Sequence, residues 1–224
     1  MARDIIVLVE HADGKVDSIT LQLLAAGRQL ANHLNAQLIA LAVGHRLESV
    51  SAQVQGYGMD RIVLVDHPAL ALAAGEVQAQ VIVQAVRQID PRFVLIGYSL
   101  IGMELAPAVA ATLGVNGLTN CVNLEIRDGV VTVTRPVFDS TQHAHIALDE
   151  NESAVIALQK GSFAPIEPSS NQAAVETISI DVKTSRHAAK SQPSPRRPPA
   201  TWTSPRRKSS FRSDAGLARK IKSP

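Results

Sequence analysis

Short, wholly apolar runs alternate along the chain with longer stretches in which apolar residues recur at helical spacing. The clearest example runs from Phe93 to Gly114. Its first part, Val94 to Ile96, is too short for a buried helix and suits a parallel strand that is covered on both faces. The residues that then recur every fourth position are Ile101, Leu105, Val109 and Leu113. We expect them to form one helical face that packs back onto the sheet.

Small residues separate this strand from its helix. Gly97, Ser99 and Gly102 allow the chain to reverse tightly where the strand ends. Open α/β sheets place their ligands or docking surfaces at the carboxyl ends of their strands. The sequence therefore predicts a functional surface at this turn.

The first ninety or so residues repeat the same strand–helix unit. Strands are predicted at 5–9, 38–43 and 61–65, and helices from 18, at 47–55 and at 75–88. Asp17 or Ser18 can cap the first helix. Regular alternation of strand and helix favours a parallel sheet with right-handed crossovers.

Beyond Gly114 the pattern changes to strands alone. Predicted strands at 122–126 and 130–134 flank Asp128-Gly129, a strong signal for a two-residue hairpin turn. Two more short strands are predicted at 143–148 and 154–158, and one more extended segment at 175–182. We interpret 118–160 as an antiparallel addition that extends the parallel sheet or covers one of its edges.

These patterns predict the α/β class: a parallel sheet with helices on both faces, an antiparallel β addition and a disordered basic tail. The predicted organisation is an α/β domain over 1–164, a linker with an extended segment over 165–186, and a Pro/Arg/Ser tail over 187–224. The composition agrees with a layered α/β core, because 46% of the residues are hydrophobic and only 3% are aromatic.

Charge divides the chain into two parts near Arg186. Residues 187–224 hold ten Lys and Arg and one acidic residue, whereas 1–186 hold twelve basic and nineteen acidic residues. Half of the twelve prolines also fall in 187–224. Such a segment buries little apolar surface, so we expect it to be disordered. Trp202 and Phe211 stand among its arginines and permit base stacking, but we expect no sequence-specific nucleic-acid binding.

Cysteine content and apolar run lengths favour a cytoplasmic protein. Cys121 is the single cysteine, so an intramolecular disulfide is excluded. The first predicted strand begins close to Asp4, and we expect no signal or transit peptide before it. No apolar run approaches the ~18 residues that a membrane span needs.

Familiar chemical motifs are missing from the sequence, and the remaining candidates are weak. There is no complete dinucleotide fingerprint, P-loop, nucleophile elbow or zinc signature. Gly56-Tyr57-Gly58 resembles the start of a phosphate loop but precedes a strand, so we favour a simple turn. His143 and His145 share one face of a predicted strand and would need a third ligand to hold a metal. We favour paired surface histidines.

Cys121 and Glu104 are also candidates for a chemical role. Cys121 has no histidine or basic residue close by in sequence to lower the pKa of its thiol, so we favour a packed thiol over a nucleophile. Glu104 lies near the start of the helix that follows residue 100, where a carboxylate complements the helix dipole. A catalytic role would need a partner that the sequence does not identify. We therefore assign no catalytic and no metal-ligating residue.

Several segments, taken together, resemble the alpha subunit of electron-transfer flavoproteins. The longest are IIVLVEHADGKVDSITLQLLAAGRQLA, GYGMDRIVLVDHPAL and LIGYSLIGMELAPAVAATLGVNGLTNCVNLEI, and VTRPVF and LQKGSF continue the resemblance. It spans about residues 4–186 and matches that subunit's amino-terminal domain. Its specificity lies in order and spacing over the whole stretch.

The resemblance implies a heterodimer with a beta subunit and one FAD. That flavin would accept electrons from acyl-CoA or other dehydrogenases and pass them to a quinone reductase or similar acceptor. In the family most FAD contacts come from the second domain of the alpha subunit, which should begin where this sequence turns basic. The chemistry belongs to the flavin, so the FAD-contacting residues of this chain stay unknown at this point.

The sequence departs from the family's pattern at three places. Ala108 stands where an arginine is usual, Asp139-Ser140 where a Gly-containing turn is usual, and Gln159-Lys160 where an Arg-Pro pair is usual. We expect these positions to lie at turns and subunit contacts. The departures therefore bear on how tightly a partner binds and leave the fold unchanged.

A shift of reading frame would explain the basic tail. Read one base out of frame, permissive codons for 200–223 encode a string similar to the family's linker into its FAD domain. We hypothesise a one-base insertion or deletion near Arg186 or His187 that truncates the FAD domain. We therefore expect the chain alone to bind no FAD and its function in electron transfer to be impaired. The nucleotide sequence across residue 186 and past the stop tests this hypothesis.

A second hypothesis comes from another class of protein. The chain would be a stand-alone nucleotide-binding or stress-type α/β module whose basic tail reaches nucleic acid or an acidic partner. Flavin absorbance, with and without a beta subunit, separates the two hypotheses. Binding of ATP, or salt-sensitive binding of nucleic acid, would favour the module.

Overall fold

A computed structural model of the chain describes residues 3–71, 73, 75–169 and 172–182. The strands are β1 (Ile5–Leu8), β2 (His11–Ala12), β3 (Lys15–Val16), β4 (Leu38–Gly44), β5 (Arg61–Asp66), β6 (Phe93–Gly97), β7 (Asn116–Cys121), β8 (Asn123–Arg127), β9 (Val130–Val137), β10 (Gln142–Leu148), β11 (Ala154–Leu158) and β12 (Ala174–Thr177). The helices are α1 (Ser18–Leu34), α2 (Glu48–Val54), α3 (Gly75–Ile89) and α4 (Leu100–Leu113).

Seven of these strands form one parallel sheet in the order β12–β5–β4–β1–β6–β11–β7. The strand order reverses between β1 and β6, because β4 and β5 lie beyond β1 on one side and β11 and β7 lie beyond β6 on the other. In doubly wound sheets such a reversal opens a crevice at the carboxyl ends of the two central strands.

Helices cover both faces of this sheet, which confirms the predicted α/β class. Alternate residues of one strand enter different layers: Ile5 and Val7 pack with α1 and α2, whereas Ile6 and Leu8 pack with α3 and α4. The central strands are apolar at every position because both of their faces are buried. Full burial of each such side chain contributes roughly 1.5–3 kcal/mol.

The predicted antiparallel addition is a separate three-stranded sheet in the order β10–β9–β8. Asp128 and Gly129 form its tight turn with φ values of 50° and 84°, as a two-residue hairpin of this type requires. One face of the sheet buries Leu124, Val133 and Leu148 in the layer that also contains α1.

The prediction that 154–158 belongs to the antiparallel addition is wrong. These residues form β11, which lies between β6 and β7 and pairs parallel with both. All five positions of β11 are buried. A strand covered on both faces by helices needs such an unbroken apolar run, whereas a strand with one solvated face does not.

The predicted face of α4 is also partly wrong. Leu105 and Val109 are buried as expected, but Ile101 is 53% exposed. A spacing of four residues advances 400° around a helix, so a stripe of that period drifts away from a fixed face. The residues that pack against the sheet follow the true helical period and are Gly102, Leu105, Ala106, Val109 and Ala110.

The extended segment predicted at 175–182 supplies β12, which pairs parallel with β5 at the edge of the sheet. Residues within the predicted linker thus belong to the sheet. The tail predicted to be disordered, 187–224, lies outside the described residues, and the proposed domain boundaries stay predictions. Across the described ranges, no helix combines the length and the apolar character that crossing a bilayer requires.

Candidate functional site

The carboxyl ends of β1, β6 and β11 meet where the strand order reverses, and we call this surface the carboxyl edge. It comprises Glu10 after β1, Tyr98-Ser99 after β6 and Gln159-Lys160 after β11, together with Asp17 at the start of α1 and Asp66 at the end of β5. The turn at Gly97, Ser99 and Gly102 lies here, as the sequence predicts.

Gly102 allows α4 to begin directly against the end of β6. A Cβ at this position would collide with the carbonyl oxygen of Gly97. The Gly102 N–H donates a hydrogen bond of 3.0 Å to Ser99 Oγ, which caps the helix. These contacts fix the first turn of α4 at the carboxyl edge.

Glu10 places a carboxylate inside the crevice between β1 and β6. Its Oε1 fills the space where a side chain at Gly97 would stand. That oxygen is buried and has no hydrogen-bond partner among the described residues. Burial raises the pKa of the Glu10 carboxyl, and the nearby Ser99 side chain and Gly97 backbone offset only part of the rise.

Asp17 caps α1 at the same edge. Its Oδ1 accepts hydrogen bonds from the Ile19 N–H at 3.0 Å and from Lys160 Nζ at 3.0 Å. The Ile19 amide, and then Lys160, hold the pKa of the Asp17 carboxyl below its usual value. The negative charge of Asp17 adds to the rise in the pKa of Glu10.

Asp66 accepts hydrogen bonds from the backbone amides that lead into α2. Its two carboxylate oxygens accept hydrogen bonds from the Leu47 N–H at 2.7 Å and the Arg46 N–H at 3.0 Å. Burial acts to raise the pKa of Asp66, but these amides and His45 lower it overall. The helix starts nearest the crevice are therefore already occupied by side chains of the chain itself.

This arrangement disfavours a phosphate group in the crevice. Phosphate sites at helix N-termini depend on free backbone N–H groups and on the absence of competing negative charge. Here Ser99 and Asp17 occupy the helix starts, and the Glu10 carboxylate lies between them. The carboxyl edge is thus better suited to contact a protein surface than a nucleotide.

The first turn of α4 carries an exposed apolar group that we call the α4 patch. Leu100 is 87% exposed, Ile101 53% and Met103 46%. Single exposed apolar residues are common, but three within four positions of one helix start form a contiguous surface. Of these three residues, the sequence pattern placed only Ile101 on the predicted buried face of the helix, and it made no prediction for Leu100 and Met103.

The residues that the sequence suggested for chemical roles do not lie together in one site. Gly56 and Gly58 have φ values of 83° and 73° and form a turn, whose Gly56 carbonyl accepts a hydrogen bond from the Ser169 N–H. His145 Nδ1 lies 3.0 Å from Thr134 Oγ1, and His143 is exposed on the same strand. Within the described ranges, no three His, Cys, Asp or Glu side chains are placed to hold a metal ion.

Cys121 and Glu104 have structural surroundings. Cys121 is fully buried at the end of β7, and this burial raises the pKa of its thiol to about 12, so it is protonated near neutral pH. Glu104 is exposed in α4, and its carboxylate lies against Gly75, the first residue of α3. Trp202, Phe211 and the proposed frameshift near Arg186 or His187 lie outside the described residues.

The positions that depart from the family's pattern are accommodated locally. Phe138, Asp139 and Ser140 all have positive φ, between 50° and 65°, at the exposed tip between β9 and β10. Glycine adopts this conformation without the strain that these side chains incur. Gln159 Nε2 donates a hydrogen bond to Asn120 Oδ1, and Ala108 is half-buried in α4.

Sequence reasoning missed Glu10. The available signal was its place directly after the apolar run IIVLV, where the side chain has to lie at the carboxyl end of a central strand. The partners of this carboxylate come from a turn almost ninety residues away, and only the strand order brings them together.

Comparison with known proteins agrees with this fold. A sequence model of the electron transfer flavoprotein domain matches residues 5–183. The chain belongs to the electron transfer flavoprotein family. The matched range covers the whole parallel sheet and the carboxyl edge.

Alpha-type proteins of this family are among its relatives. The chain is similar to electron transfer flavoprotein subunit alpha of Clostridium acetobutylicum, with 30% identity over 161 residues, which is 70% of this chain and 47% of the relative. It is also similar to that subunit of Bacillus subtilis, with 26% identity over 179 residues, which is 80% of this chain and 52% of the relative. The expected alpha-type amino-terminal domain is thereby confirmed.

A further relative has a different name. It is the acryloyl-CoA reductase electron transfer subunit beta of Anaerotignum propionicum, with 33% identity over 124 residues, which is 55% of this chain and 34% of the relative. The chain therefore spans about half, or less, of the length of these relatives.

Proposed function

We propose that the chain serves as the alpha-type subunit of an electron transfer flavoprotein in the cytoplasm. It pairs with a beta-type subunit, and the pair carries electrons from acyl-CoA or other dehydrogenases to a quinone-linked acceptor. The observation that carries this proposal is the family match over 5–183, which includes the complete sheet.

The described residues do not fit FAD. At the carboxyl edge, where a doubly wound sheet would receive the pyrophosphate, Glu10 and Asp17 present carboxylates and the start of α4 is capped by Ser99. We therefore propose that the flavin, which supplies the redox chemistry, is held in the complex by atoms outside the described residues. The role of the described residues is to present a rigid docking surface.

The α4 patch is the surface that we propose for the beta-type partner. Leu100, Ile101 and Met103 lie at the carboxyl edge and are held there by the Ser99 cap and the close approach of Gly102 to Gly97. Burying exposed apolar side chains on a fixed surface gives association its driving force without a large ordering cost.

The test measures complex formation and flavin retention together. The full chain is mixed with a beta-type subunit of the family and FAD, and co-elution and flavin absorbance are followed by gel filtration. We expect a stoichiometric complex of the two chains, and its flavin absorbance then measures how much FAD it retains if the FAD domain of this chain is truncated. Failure to co-elute at micromolar concentrations would contradict the proposal.

A matched pair of variants locates the interface. Leu100→Asp places a charge in the α4 patch and should weaken association by at least about tenfold, as expected for an anchor residue. Val175→Asp changes a residue that is 49% exposed on β12, at the edge of the sheet, and should change affinity less than about twofold. Equal effects of the two variants would place the interface elsewhere.

A further inference from the structure

We infer that the opposite end of the sheet contains a second binding site, for a small organic anion with an apolar body. The site is a cavity of ≈ 240 Å³ between the last turns of α3 and α4 and the start of β6 and β11. We call it the arginine cavity, because Arg3, Arg87 and Arg92 line it. It lies at the amino ends of the strands, at the end of the sheet opposite the carboxyl edge.

The inner wall of the arginine cavity is apolar. It is formed by Val86 of α3, Val94 of β6, Leu113 of α4 and Val155 of β11, with Val115 beside them. Val86, Val94 and Val155 are at most 5% exposed, so they belong to the rigid core. An apolar wall of this kind favours a ligand with a hydrocarbon body over a bare inorganic ion.

The charged groups at the cavity are fixed by neutral partners. Arg92 donates hydrogen bonds to the carbonyl oxygens of Asp149 at 2.9 Å and Glu152 at 3.3 Å, and its guanidinium lies over the Phe93 ring at 4.7 Å. These contacts orient the guanidinium but leave its formal charge in place. The group is thus positioned before any ligand arrives.

Arg87 and Arg3 are held in a similar way. Arg87 Nη2 donates to the Thr112 carbonyl at 3.1 Å, and Arg3 Nη2 donates to Ser153 Oγ at 2.8 Å. The nearest carboxylate pairing at the cavity is between Arg3 and Asp90, at 3.8 Å and with Asp90 79% exposed. Such a long, exposed pair neutralises little charge.

Three arginines and one carboxylate, the exposed Asp90, thus line the cavity, which gives it an excess of positive charge in a part of the chain that is otherwise acidic. Residues 1–186 hold only twelve basic residues against nineteen acidic ones. The positive charge of Arg3 adds to the burial that lowers the pKa of Arg92, which indicates that the guanidinium groups repel each other. An anion between the guanidinium groups would relieve this repulsion. A carboxylate suits the site because a planar guanidinium group can donate two parallel hydrogen bonds to its two oxygens.

The experiment uses benzoate as the probe and benzyl alcohol as its uncharged counterpart. Titration into the full chain at low ionic strength is followed by ¹H–¹⁵N NMR, with the amides of Val94, Leu113, Val115 and Val155 as reporters. We expect benzoate to shift these amides in a saturable manner and benzyl alcohol to bind at least about tenfold more weakly, because it lacks the charge-assisted hydrogen bonds. Equal binding of the two, or shifts that map elsewhere, would overturn the inference.

Inorganic phosphate tests the role of the apolar wall. It supplies the charge without a hydrocarbon body, so we expect it to bind about tenfold or more weakly than benzoate. Binding of phosphate as tight as that of benzoate would overturn the assigned ligand class.

Arg87→Gln tests the charge with little risk to folding, because Arg87 is exposed. Benzoate should bind this variant about tenfold more weakly, whereas Arg127→Gln, which removes an exposed arginine from the antiparallel sheet, should bind it as the wild type does. Loss of affinity in both variants, or in neither, would contradict a site at the arginine cavity.

Discussion

The two ends of the same parallel sheet differ in charge and in the way that their polar groups are paired. At the carboxyl edge, Asp17 and Asp66 accept hydrogen bonds from backbone amides at helix starts, and the half-buried Glu10 places one shielded carboxylate oxygen between β1 and β6. At the amino end, Arg87 and Arg92 bind carbonyl oxygens. The difference follows from the chain's direction, since helices begin at one end of a βαβ unit and end at the other.

This comparison qualifies a general expectation about α/β sheets. The carboxyl ends are the usual ligand site because free helix N-termini point at the crevice. In this chain side chains already occupy the helix starts at the carboxyl edge, and the excess of positive charge lies at the opposite end, where three arginines stand beside the single carboxylate of Asp90. The strand order predicts where a crevice forms, whereas the side chains around the crevice determine which ligand can bind there.

The largest expected effect concerns the tight backbone contact at the carboxyl edge. Gly102→Ala should lower the free energy of unfolding by about 3 kcal/mol, because the new Cβ would collide with the Gly97 carbonyl, which cannot move without displacing β6. Chemical denaturation measures this change. Gly129→Ala is the control: it has positive φ but nothing within 4 Å of the new Cβ, and should cost only about 1 kcal/mol.

At the amino end, Arg92→Met should lower the free energy of unfolding by about 2 kcal/mol. The variant loses two hydrogen bonds to carbonyl groups and the contact with the Phe93 ring. Arg127→Met, which removes an exposed ion pair, should cost less than about 0.5 kcal/mol. Similar costs for both, measured by denaturation, would show that the amino end is no better organised than an ordinary surface.

Glu10→Gln should stabilise the protein at neutral pH by on the order of 1 kcal/mol, the scale of one buried polar group. The pKa of Glu10 is raised in the folded state, so its ionised form opposes folding. The wild type should therefore gain stability as the pH falls through the folded-state pKa towards the ordinary glutamate pKa of 4.5, and the variant should lack this gain.

Asp17 and Asp66 act in the opposite direction and in a lower pH range. Their pKa values are lowered in the folded state, so their contribution to stability is present above the ordinary aspartate pKa of 3.8 and is lost as the pH falls below it. Denaturation at several pH values separates the two effects. A wild type whose stability does not rise between neutral pH and 4.5 would contradict the buried state of Glu10.

The smallest effect is expected for Lys160→Met. Its ammonium group pairs with Asp17 at 3.0 Å, but both side chains are at least half exposed. Solvent screens such a pair, and its loss should cost less than about 0.5 kcal/mol at moderate salt. A cost above 1 kcal/mol in the same denaturation assay would show that Lys160 also stabilises the edge through another contact.

The sequence predicted the elements well where local pattern alone decides them. The turn at Asp128-Gly129, the Asp17 cap and the apolar β6 all depend on a few neighbouring residues, and all are confirmed. The place of β11 was predicted wrongly although its unbroken apolar run is the same signal that identified β6. The strands that precede β11 in sequence, β8 to β10, are antiparallel, and the chain pattern alone does not separate β11 from them.

The two functional surfaces were harder to predict because they depend on strand order. Arg87 and Arg92 are close in sequence, but Arg3 joins them only because β1 lies beside β6 in the sheet. Ile101 of the α4 patch was assigned to the core because an apolar residue at helical spacing looks the same in sequence whether it is buried or exposed.

The position of β11 also sets the order in which the chain can assemble. The sheet neighbour of β7 among the described strands is β11, which is synthesised later and must insert between β6 and β7. A nascent chain that has not yet released residue 158 therefore leaves two strand edges open and cannot close its hydrophobic layers. The antiparallel strands β8 to β10 are synthesised between β7 and β11, so they emerge before the parallel sheet is complete. We therefore expect the incomplete domain to need protection from aggregation while it is still on the ribosome.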